Sequence, residues 1–202
     1  DSEPVTVFAM GDLKFYGKIN AEKRGITEFY SRARGSEVAA KAVETFGPLV
    51  VNDISAGELD PAMLSVVADC GVPYIAMHMR GTPADMQGRT VYGDITREVV
   101  EYLAGRLEAA RRAGIRDVVL DPGFGFAKTT AQNYELLAGM GGIAELGCPV
   151  LTGVSRKSMI YKVLGVTPDD SLNGTTALNW ECLRQGADIL RVHDVAPAAE
   201  AV

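Results

Sequence analysis

The 202-residue sequence predicts an α/β protein built from successive strand–helix units. Three observations predict it. Five times a short apolar segment stops abruptly at polar residues, as a buried strand does where it meets its loop. Segments with helical spacing lie between these strands, and a glycine stands at each expected helix exit. This alternation is typical of parallel βα units. The length suits one domain, residues 1–202, because it fills one core and is short for two.

Each predicted strand is followed directly by polar side chains that could bind a ligand or take part in catalysis. In chain order they are residues 48–51 before Asn52-Asp53, residues 72–77 before His78-Met79-Arg80, residues 118–120 before Asp121, residues 149–154 before Ser155-Arg156-Lys157-Ser158, and residues 188–190 before Arg191-Val192-His193-Asp194. The glycines before them are Gly47, Gly71, Gly114, Gly147 and Gly186. Asp121 is the clearest case, since Pro122 and Gly123 then turn the chain; the same residues are also ordinary turn chemistry.

The clearest predicted helix runs from about residue 94 to residue 113. Asp94 or Thr96 can cap its start, and Gly114 can end it. Its apolar face repeats at spacings of three and four, formed by Val99, Val100, Leu103, Leu107 and Ala110. Further helices are predicted at about residues 36–46, 60–70, 132–140, 157–164 and 175–185.

The first 47 residues match this pattern poorly, whereas residues 48–202 match it well. Residues 5–10 predict one strand, ending at Gly11-Asp12, and no clear second strand follows. An eight-stranded barrel usually needs about 250 residues. The chain is therefore short by roughly two βα units, and we expect the shortage in this N-terminal part.

Composition excludes several classes of protein. The net charge of −6 argues against broad binding of nucleic acid, and no apolar run is long enough to span a membrane. Cys70, Cys148 and Cys182 are odd in number and lie among apolar residues, which indicates buried free thiols in a reducing cytosol. With only two histidines and no cysteine cluster, a structural zinc site is not expected.

Asn52, Asp121 and Lys157 would converge if the five strands are neighbours in one parallel barrel. An amide, a carboxylate and an ammonium suit recognition of a flat heterocycle that has donors on one edge and an acceptor on the other. Taken singly, Asp121 could equally be a turn residue, and Lys157 a solvated residue at a helix start.

Two further groups could hold anions. Residues 155–158 lie between a strand and a helix, where backbone N–H groups and a serine hydroxyl can bind a carboxylate or phosphate. Arg191 and His193 alternate on the last strand and could hold phosphate, although a buried ion pair would explain Arg191 as well. His78 is more often a packed histidine than a catalyst. Phe124 and Phe126 could wall an aromatic substrate or pack within their loop.

The combined motifs resemble one family in order and spacing. They are Val51-Asn52-Asp53-Ile54-Ser55, Met77-His78-Met79-Arg80-Gly81, Leu120-Asp121-Pro122-Gly123-Phe124-Gly125-Phe126, Ser155-Arg156-Lys157-Ser158 and Arg191-Val192-His193-Asp194. Over about residues 36–195 the chain resembles dihydropteroate synthase. The resemblance implies a (β/α)8 TIM barrel whose N-terminal βα units are incomplete here. It also implies a transferase of folate biosynthesis, which joins hydroxymethyl-dihydropterin pyrophosphate to p-aminobenzoate and releases pyrophosphate with help from Mg²⁺.

The resemblance also implies roles for individual residues. Lys157, Arg191 and His193 would be catalytic, and Arg191 and His193 would hold the pyrophosphate. Asn52, Met77, Asp121 and Lys157 would bind the pterin. Phe126 and Ser158 would receive p-aminobenzoate, so sulfonamides would inhibit. A cytoplasmic homodimer is expected.

The sequence departs from the family near its start. The family's Asn-x-Thr-Pro-Asp-Ser-Phe and Ser-Thr-Arg-Pro loops are absent, the metal site is expected in the first of them, and Arg32 stands near a position where the family has Asp. The chain would then be a truncated or decayed relative, or one that joins segments across missing stretches, and we favour the second. Two alternative functions remain: a pterin-binding methyltransferase, and a catalytically inactive pterin-binding protein.

Overall fold

The computed structural model describes residues 35–202. The strand predicted at residues 5–10 and the position of Arg32 lie outside that range. The helices are α1 (Gly35–Phe46), α2 (Met63–Cys70), α3 (Ile95–Ala113), α4 (Thr130–Ala138), α5 (Gly141–Ala144), α6 (Ser158–Leu164), α7 (Leu172–Arg184) and α8 (Val195–Glu200), with short 3₁₀ turns at Met86–Gly88 and Asp169–Ser171. The strands are β1 (Val51–Asp53), β2 (Tyr74–Met77), β3 (Val118–Asp121), β4 (Leu151–Thr152) and β5 (Ile189–Leu190). The predicted α/β alternation is confirmed.

The described chain divides into two compact units. The first comprises residues 35–76 and 106–118, and the second comprises residues 77–105 and 119–202. In the first unit β1 pairs in parallel with β2, with Asn52 opposite Ile75, and the Tyr74 N–H donates to the Asp117 carbonyl at 2.9 Å. Helices α1 and α2 pack together in this unit. Its core includes the buried side chains of Val51, Val67 and Ile75.

The second unit contains the remaining strand pairings. The His78 N–H donates to the Asp121 carbonyl at 2.9 Å, and Leu120 forms a parallel bridge with Val150. Strands β4 and β5 then pair in parallel, with Leu151 opposite Ile189. Because parallel strands place their carboxyl ends at one edge, the polar residues that follow β2, β3, β4 and β5 gather there.

Local capping explains where the observed helices differ from the predicted ones. Helix α4 begins at Thr130, two residues earlier than predicted, because Thr129 and Gln132 form a reciprocal capping box. Helix α2 begins only at Met63, since Asp60 accepts the Ala62 N–H at 3.0 Å in a turn before it. For α3, the Asp94 side chain accepts the Arg97 N–H at 2.9 Å, so the Asp94 cap is confirmed and Gly114 ends the helix at φ +100°.

The three cysteines are free thiols. Cys182 is fully buried, and burial raises the pKa of its thiol to about 11. Cys70 and Cys148 are only half-buried, so the expectation that all three lie in the core was wrong for these two. None of the helices within residues 35–202 combines the length and apolarity needed to cross a membrane.

Candidate active site

Asp121 ends β3 and is almost completely buried, with 1 % of its surface exposed. One carboxylate oxygen, Oδ1, accepts the Gly123 N–H at 2.8 Å. The other, Oδ2, makes no hydrogen bond to any residue of the described chain, although Nη2 of Arg191 approaches it to 3.3 Å. A buried carboxylate oxygen with unused lone pairs is costly, so its retention points to a ligand with N–H donors.

Arg191 follows β5 directly. Its N–H donates to the Thr152 carbonyl at 2.8 Å, which extends the parallel pairing by one residue. Its guanidinium lies over Gly153, where a Cβ atom would come within 2.7 Å of Nη2. The absent side chain at Gly153 therefore makes room for the guanidinium beside Asp121.

The prediction that Arg191 and His193 lie on the last strand was wrong, because β5 ends at Leu190: the backbone of Arg191 still bonds to Thr152, whereas His193 has left the sheet. The His193 N–H donates to Oγ of Ser155 at 3.2 Å instead of to a neighbouring strand. The same Oγ lies 2.9 Å from Nδ1 of His193. Because Oγ already accepts a backbone N–H, its hydroxyl proton is available to Nδ1, which leaves Nε2 for another partner.

Lys157 is the N-cap residue of α6, with extended backbone angles. Its ammonium donates to the Phe124 carbonyl and lies 5.1 Å from the centre of the Phe126 ring. Burial lowers the pKa of Lys157 to about 8; the Asp121 carboxylate opposes this shift and Arg191 adds to it. The alternative interpretation of Lys157, a solvated residue at a helix start, is therefore wrong, whereas its role in pterin binding stays a prediction.

The loop at residues 122–127 has a tight conformation for a steric reason. Gly123 adopts φ +67°, and a Cβ atom there would lie 2.0 Å from the His78 carbonyl oxygen, so only glycine fits. Gly125 adopts φ +80° and donates its N–H to Oδ1 of Asn133 at 2.7 Å. The loop thus brings Phe126 close to Lys157, as the cation–ring distance shows.

Arg156 ties the β4–α6 loop to the segment after β5. It forms a bidentate pair with Asp194 at 2.7 and 3.0 Å and also contacts Asp169 at 2.5 Å. It holds this geometry at φ +54°, which is unusual for a residue other than glycine. Arg156 therefore fixes the loop that carries Ser155, Lys157 and Ser158. Its positive charge is balanced by the carboxylates of Asp194 and Asp169.

The remaining predicted site residues are placed as follows. Met77 ends β2 with no exposed surface, and Ser158 is the half-buried first residue of α6. Asn52 belongs to the first unit, where it is buried and lines a pocket with Ser55, Asp60 and other residues of that unit. Its Oδ1 has no hydrogen-bond partner within residues 35–202. The convergence of Asn52 with Asp121 and Lys157 stays a prediction.

His78 is a packed histidine, as predicted. It is 1 % exposed and meets the Tyr102 ring edge-on at 4.9 Å. Burial, together with the charges of Lys128 and Arg80, lowers the pKa of His78 to about 2, so the ring is neutral. Its Nδ1 lies 2.9 Å from Nζ of Lys128. Lys128 was not among the predicted site residues, because a lysine directly after a loop is ordinarily solvated.

Within the described part of the chain, no three His, Cys, Asp or Glu side chains come together to hold a metal ion. The metal site that the resemblance implies in the first loop falls outside these residues, so a role for Mg²⁺ stays a prediction.

The sequence matches the family of pterin binding enzymes over residues 33–193. It is 42% identical to a dihydropteroate synthase of Synechocystis over 168 residues, and this matched stretch covers 82% of this chain and 58% of the relative.

Two solved structures are also similar. A Xanthomonas albilineans dihydropteroate synthase with 4-aminobenzoic acid superposes with a TM-score of 0.74 at 40% identity, over 82% of this chain and 59% of that one. A Yersinia pestis dihydropteroate synthase with a sulfonamide drug superposes with a TM-score of 0.78 at 36% identity, over 82% and 61%. The chain thus spans about three fifths of the length of each of these proteins.

Proposed function

The chain belongs to the family of pterin binding enzymes, and we propose that it catalyses the dihydropteroate synthase reaction. In that reaction the hydroxymethyl-dihydropterin pyrophosphate and p-aminobenzoate give dihydropteroate and pyrophosphate, a step of folate biosynthesis. The observation that carries the proposal is the buried Asp121 carboxylate, which keeps one oxygen free of hydrogen bonds beside Arg191 and near the ammonium of Lys157.

The pterin edge is the natural ligand for this carboxylate. An amino group beside a ring N–H presents two parallel donors, and Asp121 can accept both. Lys157, mostly protonated at neutral pH with a pKa of about 8, would donate to the ring carbonyl. The resemblance implies that Asn52 and Met77 also bind the pterin, and both side chains are buried, Asn52 in β1 and Met77 at the end of β2.

Arg191 and His193 would hold the leaving group. The C–O bond of the hydroxymethyl carbon breaks, its electron pair leaves with the pyrophosphate, and a pterin cation remains. Arg191 and a donor on Nε2 of His193 favour this departure by stabilising the developing negative charge. The amine of p-aminobenzoate then forms the C–N bond with its lone pair and loses a proton.

The p-aminobenzoate ring would lie against Phe126 and the stem of Lys157, with its carboxylate at Ser158. Support comes from the 5.1 Å distance between Nζ of Lys157 and the Phe126 ring. The two structures described above, one with 4-aminobenzoic acid and one with a sulfonamide drug, favour the same substrate and the same inhibitor class for this chain.

Four finer parts of the proposal rest on the resemblance. They are a complete (β/α)8 barrel, a requirement for Mg²⁺, a homodimer and a cytoplasmic location. The parallel pairing of β1 with β2 and of β4 with β5, and the parallel bridge between Leu120 and Val150, are compatible with a barrel.

The test measures binding and turnover separately. Calorimetry with the pterin pyrophosphate and release of inorganic pyrophosphate on addition of p-aminobenzoate are compared for the wild-type protein, Lys157→Met and the exposed control Lys162→Met. We expect binding and turnover in the wild type and in Lys162→Met, and loss of both in Lys157→Met. Binding without turnover would instead identify an inactive pterin-binding protein, and a cobalamin requirement would identify a methyltransferase.

A further inference from the structure

Lys128 is a buried lysine that the proposed reaction does not use. Only 5 % of its surface is exposed. Its ammonium group has three neighbours that can accept hydrogen bonds: the Gly123 carbonyl at 2.9 Å, the Phe126 carbonyl at 3.0 Å and Nδ1 of His78 at 2.9 Å.

The number of partners matches the chemistry of the group. A protonated lysine has three N–H donors and no acceptor, so three acceptors satisfy it completely. His78 must present an unprotonated Nδ1 for this, and its pKa of about 2 keeps it neutral across the physiological range. The ammonium is thus fully bonded at a buried position where an unbonded charge would be very costly.

These contacts lie at both ends of the loop that shapes the site. Gly123 donates its N–H to Asp121, so the bond from Lys128 to the Gly123 carbonyl fixes the peptide next to the carboxylate. Phe126 carries the ring that faces Lys157, and Lys128 holds its carbonyl. The contact with His78 anchors the same ammonium to the end of β2.

We propose that Lys128 is the positioning residue of this site, whose ammonium holds residues 122–127 in the conformation that presents the Asp121 carboxylate and the Phe126 ring to the substrates. The proposal rests on the proposed function, because the substrates it names are the pterin and p-aminobenzoate. Lys128 itself touches neither; it acts through the loop.

The surroundings of Lys128 make this device sensitive to pH. Burial lowers the pKa of Lys128 to about 7; Asp121 opposes the shift, whereas Lys157 and Arg80 add to it. The charged and titratable groups that face Lys128 are therefore neutral His78 and Arg80 after β2, Asp121 at the end of β3, and Lys157 at the start of α6.

A deprotonated Lys128 has only two N–H donors for three acceptors, so one of its three contacts is lost and its hold on the loop weakens as the pH rises through about 7. The effect on stability has the opposite sign. Because the pKa in the folded protein is below the ordinary value of 10.5, the unfolded chain binds the proton more tightly between about pH 7 and pH 10.5, and the contribution of Lys128 to stability rises with pH there.

The experiment follows the loop and the ligand in the same samples. Amide resonances of Gly123 and Phe126 are recorded by NMR from pH 5.5 to pH 9, without ligand, in the wild type, Lys128→Met and Lys162→Met. Affinity for hydroxymethyl-dihydropterin pyrophosphate is then measured by calorimetry over the same range. Lys128→Gln, which keeps two N–H donors, replaces the methionine variant if that variant does not fold.

We expect both amides to titrate with a midpoint near pH 7 in the wild type and in Lys162→Met, and this titration to disappear in Lys128→Met. Pterin affinity at pH 6 falls about 10- to 100-fold in Lys128→Met, as misplacement of binding groups does. Loop resonances and affinity that are unchanged by Lys128→Met would overturn the proposal. If the wild type binds no pterin while its loop titrates through Lys128, the proposed function fails and the structural role of Lys128 stands.

Discussion

Two aspartates occupy equivalent positions at the ends of parallel strands and are treated differently by the fold. Asp53, at the end of β1 in the first unit, receives four hydrogen bonds: from the Ser55 N–H and hydroxyl at 2.9 and 2.8 Å, the Gly57 N–H at 2.6 Å and the Tyr74 hydroxyl at 2.8 Å. Asp121, at the end of β3 in the second unit, receives one, from Gly123, and keeps Oδ2 free of hydrogen bonds.

A structural carboxylate differs from a ligand-binding one in how many of its lone pairs are already bonded. Both side chains are buried, so burial alone does not distinguish them. The bonds to Asp53 close a turn over residues 53–57 and leave its carboxylate little capacity for a ligand. Asp121 keeps that capacity and lies next to cations instead. We therefore expect changes at Asp53 to affect folding and changes at Asp121 to affect binding.

The largest expected effect is that of Asp121→Asn on ligand binding. The amide keeps the size of the side chain but has one acceptor oxygen in place of two, so its NH₂ group would face a ligand N–H. Affinity for the pterin pyrophosphate should therefore fall about 100-fold, or about 2.7 kcal/mol. Calorimetry measures the affinity, and Asp117→Asn, at an exposed residue just before β3, is the matched control. An affinity within threefold of the wild type would contradict the assignment of Asp121.

The second effect is that of Asp53→Asn on stability. An amide N–H₂ group would face donors that now bond to the carboxylate, so the free energy of unfolding should fall by about 2 kcal/mol. Urea unfolding measures it, with the exposed Asp69→Asn as control. The comparison between the two aspartates breaks down if Asp53→Asn leaves stability unchanged and abolishes pterin binding.

The smallest expected effect is that of Gly153→Ala, which should displace the Arg191 guanidinium from Asp121. The new Cβ atom would lie 2.7 Å from Nη2 of Arg191, and this half-buried side chain can move away from Asp121 to relieve the contact. Affinity for inorganic pyrophosphate should then fall up to about fivefold, the value of a partly exposed ion pair. Gly141→Ala in α5, where nothing lies near the new methyl group, should leave the affinity unchanged.

Much of the site could be predicted from sequence because its signals are local. Asp121, Lys157 and Arg191 each follow a short apolar strand, and the parallel fold then gathers the ends of β3, β4 and β5. The role of Arg156 was not predictable, because its partners Asp169 and Asp194 become neighbours only after folding.

Lys128 shows the same limit in another form. A lysine after a loop is ordinarily solvated, and nothing near it in the sequence reveals that His78, fifty residues earlier, accepts a hydrogen bond from its ammonium. Burial of the ammonium is a property of the packed loop, and so is the lowered pKa that follows from it.

The order of strands and helices and the chemical type of each strand end could be read from the sequence, because apolar periodicity and turn residues act over a few neighbours. The tertiary structure decided which carboxylate is satisfied and which is available. That outcome depends on groups from distant parts of the chain. The Tyr74 hydroxyl donates a hydrogen bond to Asp53, whereas the Arg191 guanidinium approaches Asp121 to 3.3 Å without bonding its Oδ2, and both approaches are fixed only when the strands pack.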